Sequence, residues 1–290
     1  MDPYAEAPVL RAYRDLSRLS ELTAHVAALP VVRFPPPEVK GDFDPFIGFD
    51  ALQTEFTGVT NLTVPGVKVF AEGVVEFPSQ TAALSLPYRN SGKKGDLQFD
   101  PNRFAKLCIE ADRRGLLVHV HAIGDRAVTE ALNGFAAARK ANGPSGPHLS
   151  VTHLEFVQPA DFTRFRELGV IASFQLYWAS ADTDAIDKVK PYLDPGIYAW
   201  MYPARSILHA GGTFAGASDW PLSTPNVFHA IFQAETRQGR QGVLDATRRM
   251  PRETMLYAYT RNAALAMGQV VSLRQACGTG SSGVVQAEGR

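Results

Sequence analysis

The sequence predicts an α/β fold of the (β/α)8-barrel type, on three observations. Short, nearly continuous apolar runs recur along the chain, and amphipathic stretches with helical spacing separate them. Four candidate metal ligands, Lys68, His121, His153 and Asp219, lie on or at the ends of those runs. Continuous apolar strands suit a parallel sheet covered on both faces. A doubly wound sheet would share the strand and helix alternation. Ligands at the ends of successive parallel strands favour the barrel, because a barrel brings them to one mouth. Together they point to a metal-dependent hydrolase.

Each element follows from its residues. Residues 67–71, Val-Lys-Val-Phe-Ala, read as a strand carrying Lys68. Residues 101–114 place Phe104, Leu107, Cys108 and Ala111 at helical spacing, and Gly115 stops the helix. Residues 116–122 form the next strand, with His119 and His121 on one side of it because strand side chains alternate. A helix over 125–142 carries Ala127, Val128, Ala131, Leu132 and Phe135 and ends at Gly143-Pro144. Residues 149–153 end on His153; the helix over 158–168 carries Phe162 and Phe165 and stops at Gly169. Residues 170–175 form a strand, 201–210 a helix, 212–219 the strand ending at Asp219, and 227–238 the helix after it.

Neutral imidazole and carboxylate both suit zinc, and an open coordination position lets bound water ionise near neutral pH. Each assignment has a structural rival. A lysine in an apolar strand is commonly an edge or snorkelling residue, a strand histidine a satisfied core group, and Asp219 a cap for the segment after Pro221. The shared position at strand ends separates the ligand reading from these. Asp125 and Arg126 read as a structural turn and a helix N-terminal charge, and His148, His209 and His229 as structural. Tyr88, Gln175, Trp178 and Trp220 lie after strands or in loops of the same expected face, where aromatic rings can stack on a substrate. The run Arg33-Phe34-Pro35-Pro36-Pro37-Glu38 reads as a loop that could act as a lid.

Several stretches together resemble the metal-dependent amidohydrolases, and within them the YtcJ-like branch called amidohydrolase family 3. These are Gly66-Val67-Lys68-Val69-Phe70-Ala71-Glu72-Gly73, Ser79-Gln80-Thr81-Ala82, His119-Val120-His121-Ala122-Ile123-Gly124-Asp125-Arg126-Ala127, His153-Leu154-Glu155, Ala172-Ser173-Phe174-Gln175-Leu176-Tyr177-Trp178 and Gly216-Ala217-Ser218-Asp219-Trp220-Pro221. The resemblance runs in register over residues 10–268. It implies a zinc-type site of one or two divalent metals, with Lys68, His121, His153 and Asp219 as ligands and Lys68 open to carboxylation. It also implies that Asp219 takes the proton of the attacking water and passes it to the leaving amine. Of the His119 and His121 pair, His121 is assigned to metal because it precedes the Ala-Ile-Gly-Asp-Arg turn, and His119 to substrate.

The chain departs from the family at both ends. Family members begin with a strand bearing a His-x-His pair, and the only such pair here is His119-Val120-His121. Residues 22–29 resemble the family's third strand and 12–19 the helix before it, so strands 3 to 8 are expected and the barrel is expected to be incomplete. The chain then reads as a fragment or a truncated product. Residues 1–270 form the partial barrel in this reading. Residues 271–290 read as a flexible Gly/Ser-rich tail.

With 45% hydrophobic and 20% charged residues, the composition is that of a globular domain. Lysine plus arginine equals aspartate plus glutamate at 29 each, so no global field invites nucleic acid or anionic membrane. No stretch is long enough to span a bilayer and no signal-like segment opens the chain, so a cytoplasmic protein is expected. Cys108 and Cys277 give neither a disulfide framework nor a metal motif. The expected function is hydrolysis of a C–N bond in an amide, formamide or cyclic amide. The alternative is a catalytically defective remnant with at most partial metal binding. Open barrel edges would favour a homo-oligomer.

Overall fold

Parallel pairing organises the chain. The computed structural model describes residues 6–36, 39, 41, 43–144, 146 and 149–269. Pro37 and Glu38 of the proline-rich run, His148, Cys277 and the tail 271–290 lie outside the described residues. In chain order the elements are α1 (Ala7–Arg18), β1 (Val26–Ala27), α2 (Phe49–Glu55), β2 (Leu62–Thr63), β3 (Gly66–Phe70), α3 (Pro101–Arg113), β4 (Leu117–Ala122), α4 (Asp125–Asn142), β5 (Ser150–His153), α5 (Phe162–Glu167), β6 (Ile171–Phe174), α6 (Pro195–Tyr198), α7 (Ala204–His209), β7 (Thr213–Gly216), α8 (Val227–Thr236), β8 (Gln238–Gly239), β9 (Gly242–Val243), α9 (Arg252–Tyr259) and α10 (Arg261–Ala266).

Strands β3 to β7 pair in sequence order, every pair parallel. They are buried almost throughout, as their unbroken apolar runs require. On the other side of β3, the Lys68 amide donates to Pro30 O at 2.9 Å and Val32 N donates to Lys68 O at 2.9 Å. Lys68 therefore sits in the sheet interior, which removes the edge reading of that lysine. The segment expected to be a strand over 22–29 pairs only from Val26, first with β2 and then, beyond a turn of register, through Val31 with Lys68.

Helices α3 and α4 cover one face of the sheet. Asp100 caps α3 by accepting from Arg103 N at 3.0 Å, with Pro101 in the first turn. Phe104, Leu107, Cys108 and Ala111 pack inward against α4. Gly134 permits the approach, since a Cβ there would meet Phe104 Cε1 at 2.3 Å. Asp112 and Arg139 form a buried ion pair between the same two helices.

The expected elements are present, several with shorter ends. The helix expected over 158–168 splits into a 3-10 turn at Pro159–Asp161 and α5. The helix expected from Met201 begins at Ala204, because Met201 bridges to Phe156, Tyr202 has φ 49° and Pro203 follows. Helix α8 ends at Thr236 because Arg237 adopts the left-handed conformation, φ 51°. Strand β7, expected to run to Asp219, ends at Gly216. Its far side is covered. Ala217 N donates to Phe174 O of β6, so Phe214, three residues earlier, turns its carbonyl away from β6, where Asn262 Nδ2 donates to it at 2.8 Å. The Tyr259 ring lies against Gly216, and its hydroxyl donates to Ala217 O at 3.1 Å.

Candidate active site

The sheet register sets the height of each candidate ligand. Lys68 is level with His119, and Phe70 with His121; across the next pair, His121 is level with Thr152 and Ala122 with His153. His121 and His153 thus stand near the C-terminal ends of neighbouring strands. Their rings meet edge to face at 4.4 Å between centroids, with planes at 64°. Trp178 lies parallel to His153 at 6.0 Å, and Phe70 is 5.3 Å from His121. All four line a cavity of about 730 Å³, whose wall also includes Lys68 and Asp219.

Burial dominates the electrostatics. It holds the His121 imidazole down at about 4, with Lys68 adding to the effect and the Gly73 carbonyl opposing it. It holds His153 and His119 well below the usual imidazole range, with the neighbouring imidazoles and Lys68 disfavouring the charged form of each. All three rings are therefore neutral at pH 7, the form in which imidazole binds a metal. Burial lowers the Lys68 amine to about 7, with Asp219 opposing. It raises Asp219, which Lys68 opposes.

The histidine nitrogens are differentiated. His121 Nε2 contacts Gly73 O at 2.9 Å. A carbonyl only accepts, so Nε2 carries the proton and Nδ1 keeps the lone pair. His153 Nδ1 and Gln175 Oε1 are both buried without a well-formed hydrogen bond, and Gln175 beside the ring opposes the fall of its pKa. His119 Nδ1 is occupied by Ser150 Oγ at 2.7 Å, two residues deeper in β4. Among the residues around the cavity, His153, Leu154, Tyr202 and Asp219 all have positive φ, at 78°, 55°, 49° and 55°. Non-glycine residues held in this region gather where a surrounding structure constrains them, as at binding sites.

The donor chemistry fits a divalent metal in part. Two neutral imidazoles, each with a lone pair, suit zinc. Among the described residues, however, no group of three or more His, Cys, Asp or Glu side chains stands close enough to hold an ion. The structure thus brings His121 and His153 together and sets Lys68 and Asp219 in the same wall.

The expected substrate contacts divide. Trp178 lines the cavity; among the described residues His119, Gln175, Tyr88 and Trp220 do not. His119 sits one layer below. Gln175 is buried, with Nε2 donating to Thr152 Oγ1 at 3.0 Å. Tyr88 is wholly buried, its hydroxyl donating to Ala82 O at 3.1 Å. Trp220 is 68% exposed to solvent.

Other groups in the wall were not singled out from the sequence. Glu72 is buried, and its carboxyl accepts from Ala83 N, Ile123 N and Gly124 N, the last at 2.7 Å. Burial raises it to about 8 against the pull of those three bonds. Burial, then Glu76 and Glu72, hold Glu155 well above the usual carboxyl range. An acidic residue directly after an apolar strand, as in Ala71-Glu72-Gly73, was the available signal for Glu72, since a buried acid requires donors.

A model of the amidohydrolase family matches residues 7–273. The chain belongs to the amidohydrolase family. Among curated relatives it is 29% identical over 177 residues to the Protein LONG AFTER FAR-RED 3 of Arabidopsis thaliana, covering 61% of this chain and 30% of that protein. It is 26% identical over 174 residues to YtcJ of Bacillus subtilis (strain 168), covering 59% and 31%. Among solved structures it is similar to an uncharacterized metal-dependent hydrolase from Pyrococcus furiosus, with TM-score 0.70 and 26% identity over 90% of this chain and 50% of that one. A corresponding hydrolase from Pyrococcus horikoshii OT3 gives TM-score 0.71 at 23% identity, with the same coverage. The chain spans about a third of the length of these two curated relatives and half of the solved structures. The amidohydrolase family member has the α/β fold with a parallel central sheet that these structures share, and among the described residues no helix is long and apolar enough to cross a membrane.

Proposed function

We propose that this chain is a metal-dependent hydrolase of C–N bonds in small amides, formamides or cyclic amides, built on consecutive units of a (β/α)8-type barrel. The observation that carries the proposal is the pairing of His121 and His153, neutral and edge to face, in the wall of a cavity that also holds Lys68 and Asp219. In this reading His121 Nδ1 and His153 hold the metal, and Asp219 and Lys68 complete its surroundings. When bound, a divalent metal such as zinc supplies Lewis acidity toward the scissile carbonyl and the attacking water.

The chain's own groups do the rest. Asp219, whose burial favours holding a proton, accepts one from the attacking water as oxygen bonds to the carbonyl carbon. It returns that proton to the amide nitrogen as the C–N bond breaks, which leaves a carboxylic acid and an amine. Lys68, with its amine at about 7, is available uncharged to react with carbon dioxide and become a carbamate ligand. Trp178 and Phe70 present flat apolar walls that exclude water and receive the acyl or aryl part of the substrate.

The test is turnover of a panel of amides, formamides and cyclic amides by the zinc-loaded protein. Hydrolysis that disappears on chelation, returns with zinc and is lost in Asp219→Asn supports the reading. A second reading is a catalytically defective member that binds metal weakly. The incomplete ligand group among the described residues favours it. It predicts zinc binding through His121 and His153 with no turnover on that panel.

A further inference from the structure

We propose that Glu72 and Gly73 act as a positioning unit for His121, fixing both the end of β4 and the tautomer of the ring. The idea rests on the reading of His121 as a metal-binding residue and extends it to two neighbours that hold its ring and its strand end in place.

The two neighbours act on the same target from one point. Gly73 O accepts from His121 Nε2 at 2.9 Å, which leaves Nδ1 as the nitrogen with a lone pair. The Glu72 carboxyl accepts from Ile123 N and Gly124 N, two and three residues beyond His121, and from Ala83 N of a neighbouring loop. Strand β4 is thereby tied at its end to Glu72, two residues beyond the end of β3, in addition to the sheet bonds of both strands. Without this carboxyl group, the buried amides of Ile123 and Gly124 lose their acceptor, and the turn that carries His121 loses its anchor.

The surrounding sequence is shaped to permit this. A Cβ on Gly124 would meet Ala83 O at 2.3 Å and Glu72 Oε2 at 2.9 Å, so only glycine admits the Glu72 carboxyl. A Cβ on Gly73 would meet Thr81 Oγ1 at 2.0 Å. That same hydroxyl oxygen accepts from Val74 N at 3.0 Å and holds the loop after Gly73 in place. His119, by contrast, is fixed by Ser150 Oγ from β5 and has no link to Glu72 or Gly73 in this arrangement. Outer partners of this kind set ring orientation and tautomer, and their loss typically weakens metal affinity about ten- to a hundredfold.

The experiment uses the metal-free full chain with 15N-labelled histidine. Long-range 1H–15N correlation should show His121 as a single Nε2–H tautomer. In Glu72→Gln, which keeps the shape but replaces one acceptor oxygen with an amide donor, an Nδ1–H population should appear at His121 while the His119 signals stay unchanged. Zinc affinity, measured by chelator competition, should fall about ten- to a hundredfold. An Nδ1–H tautomer in the parent chain, or His121 signals in Glu72→Gln identical to the parent, would overturn the proposal. If Glu72→Gln does not fold, amide exchange in the parent decides. Slow exchange at Ile123 and Gly124 together with the Nε2–H tautomer supports the unit, and rapid exchange there overturns it. The tautomer is read without metal or turnover, so failure of this proposal is distinct from failure of the hydrolase reading.

Discussion

The rings of His121 and His153 meet edge to face at 4.4 Å although they belong to different strands. The parallel register of β4 and β5 sets them together, with Ala122 rather than His121 directly opposite His153. His153 then leaves the strand with φ 78°, followed by Leu154 at 55°. The reversal occurs at the cavity wall, where the ring is needed.

Replacing one histidine of β4 should not be equivalent to replacing the other. His121→Ala is expected to remove most bound zinc, while His119→Ala, one layer deeper and tied to Ser150 Oγ, should retain most of it. Metal content after dialysis of the two purified variants tests this. Equal losses would refute the distinction.

Asp219→Asn keeps the shape of the side chain but cannot accept a proton from water. Turnover should fall by about 10²- to 10⁴-fold, the range for losing a general base. Zinc content should fall less than in His153→Ala. Loss of metal equal to that in His153→Ala would instead make Asp219 chiefly a ligand.

Lys68→Met should change stability in a pH-dependent way in the metal-free protein. The folded amine titrates near 7 against 10.5 for the free side chain, so between those values the unfolded chain binds more protons than the folded one. The Lys68 contribution to stability therefore rises with pH across that window. The methionine variant lacks that slope, and its advantage over the parent should be largest below pH 7 and shrink toward pH 10. Denaturant unfolding at pH 6.5 and 9.5 measures it; a constant difference would contradict the buried charge.

Asn262→Ala should destabilise the chain by about 1–3 kcal/mol, because Phe214 O, in a buried residue, loses its donor on the side of β7 away from β6. A change in melting behaviour within experimental scatter would show that water replaces the amide freely.

The places of His121 and His153 near strand ends were legible in the sequence because strand-end location is written in local apolar runs, as at Leu117–Ala122 before Ile123. Pairing across strands was not. Glu72 gains its role only from the register that lays the end of β3 beside Ile123 and Gly124, which no local pattern records. Tyr88 read as a loop aromatic, and its burial depends on a turn whose carbonyl at Ala82 receives the hydroxyl. The end of α8 at Arg237 was likewise hidden. That side chain is buried, with Nη1 and Nη2 each 3.3 Å from the carbonyls of Tyr202 and Met201, a tertiary contact that overrides helical spacing.

The central claim is that His121 and His153 together hold a catalytic metal. Zinc K-edge X-ray absorption of the zinc-loaded chain tests it most directly. The account predicts scattering from at least two imidazoles at about 2.0–2.1 Å, reduced in His121→Ala and in His153→Ala. A zinc environment of oxygen ligands alone, or one unchanged in both variants, would contradict it.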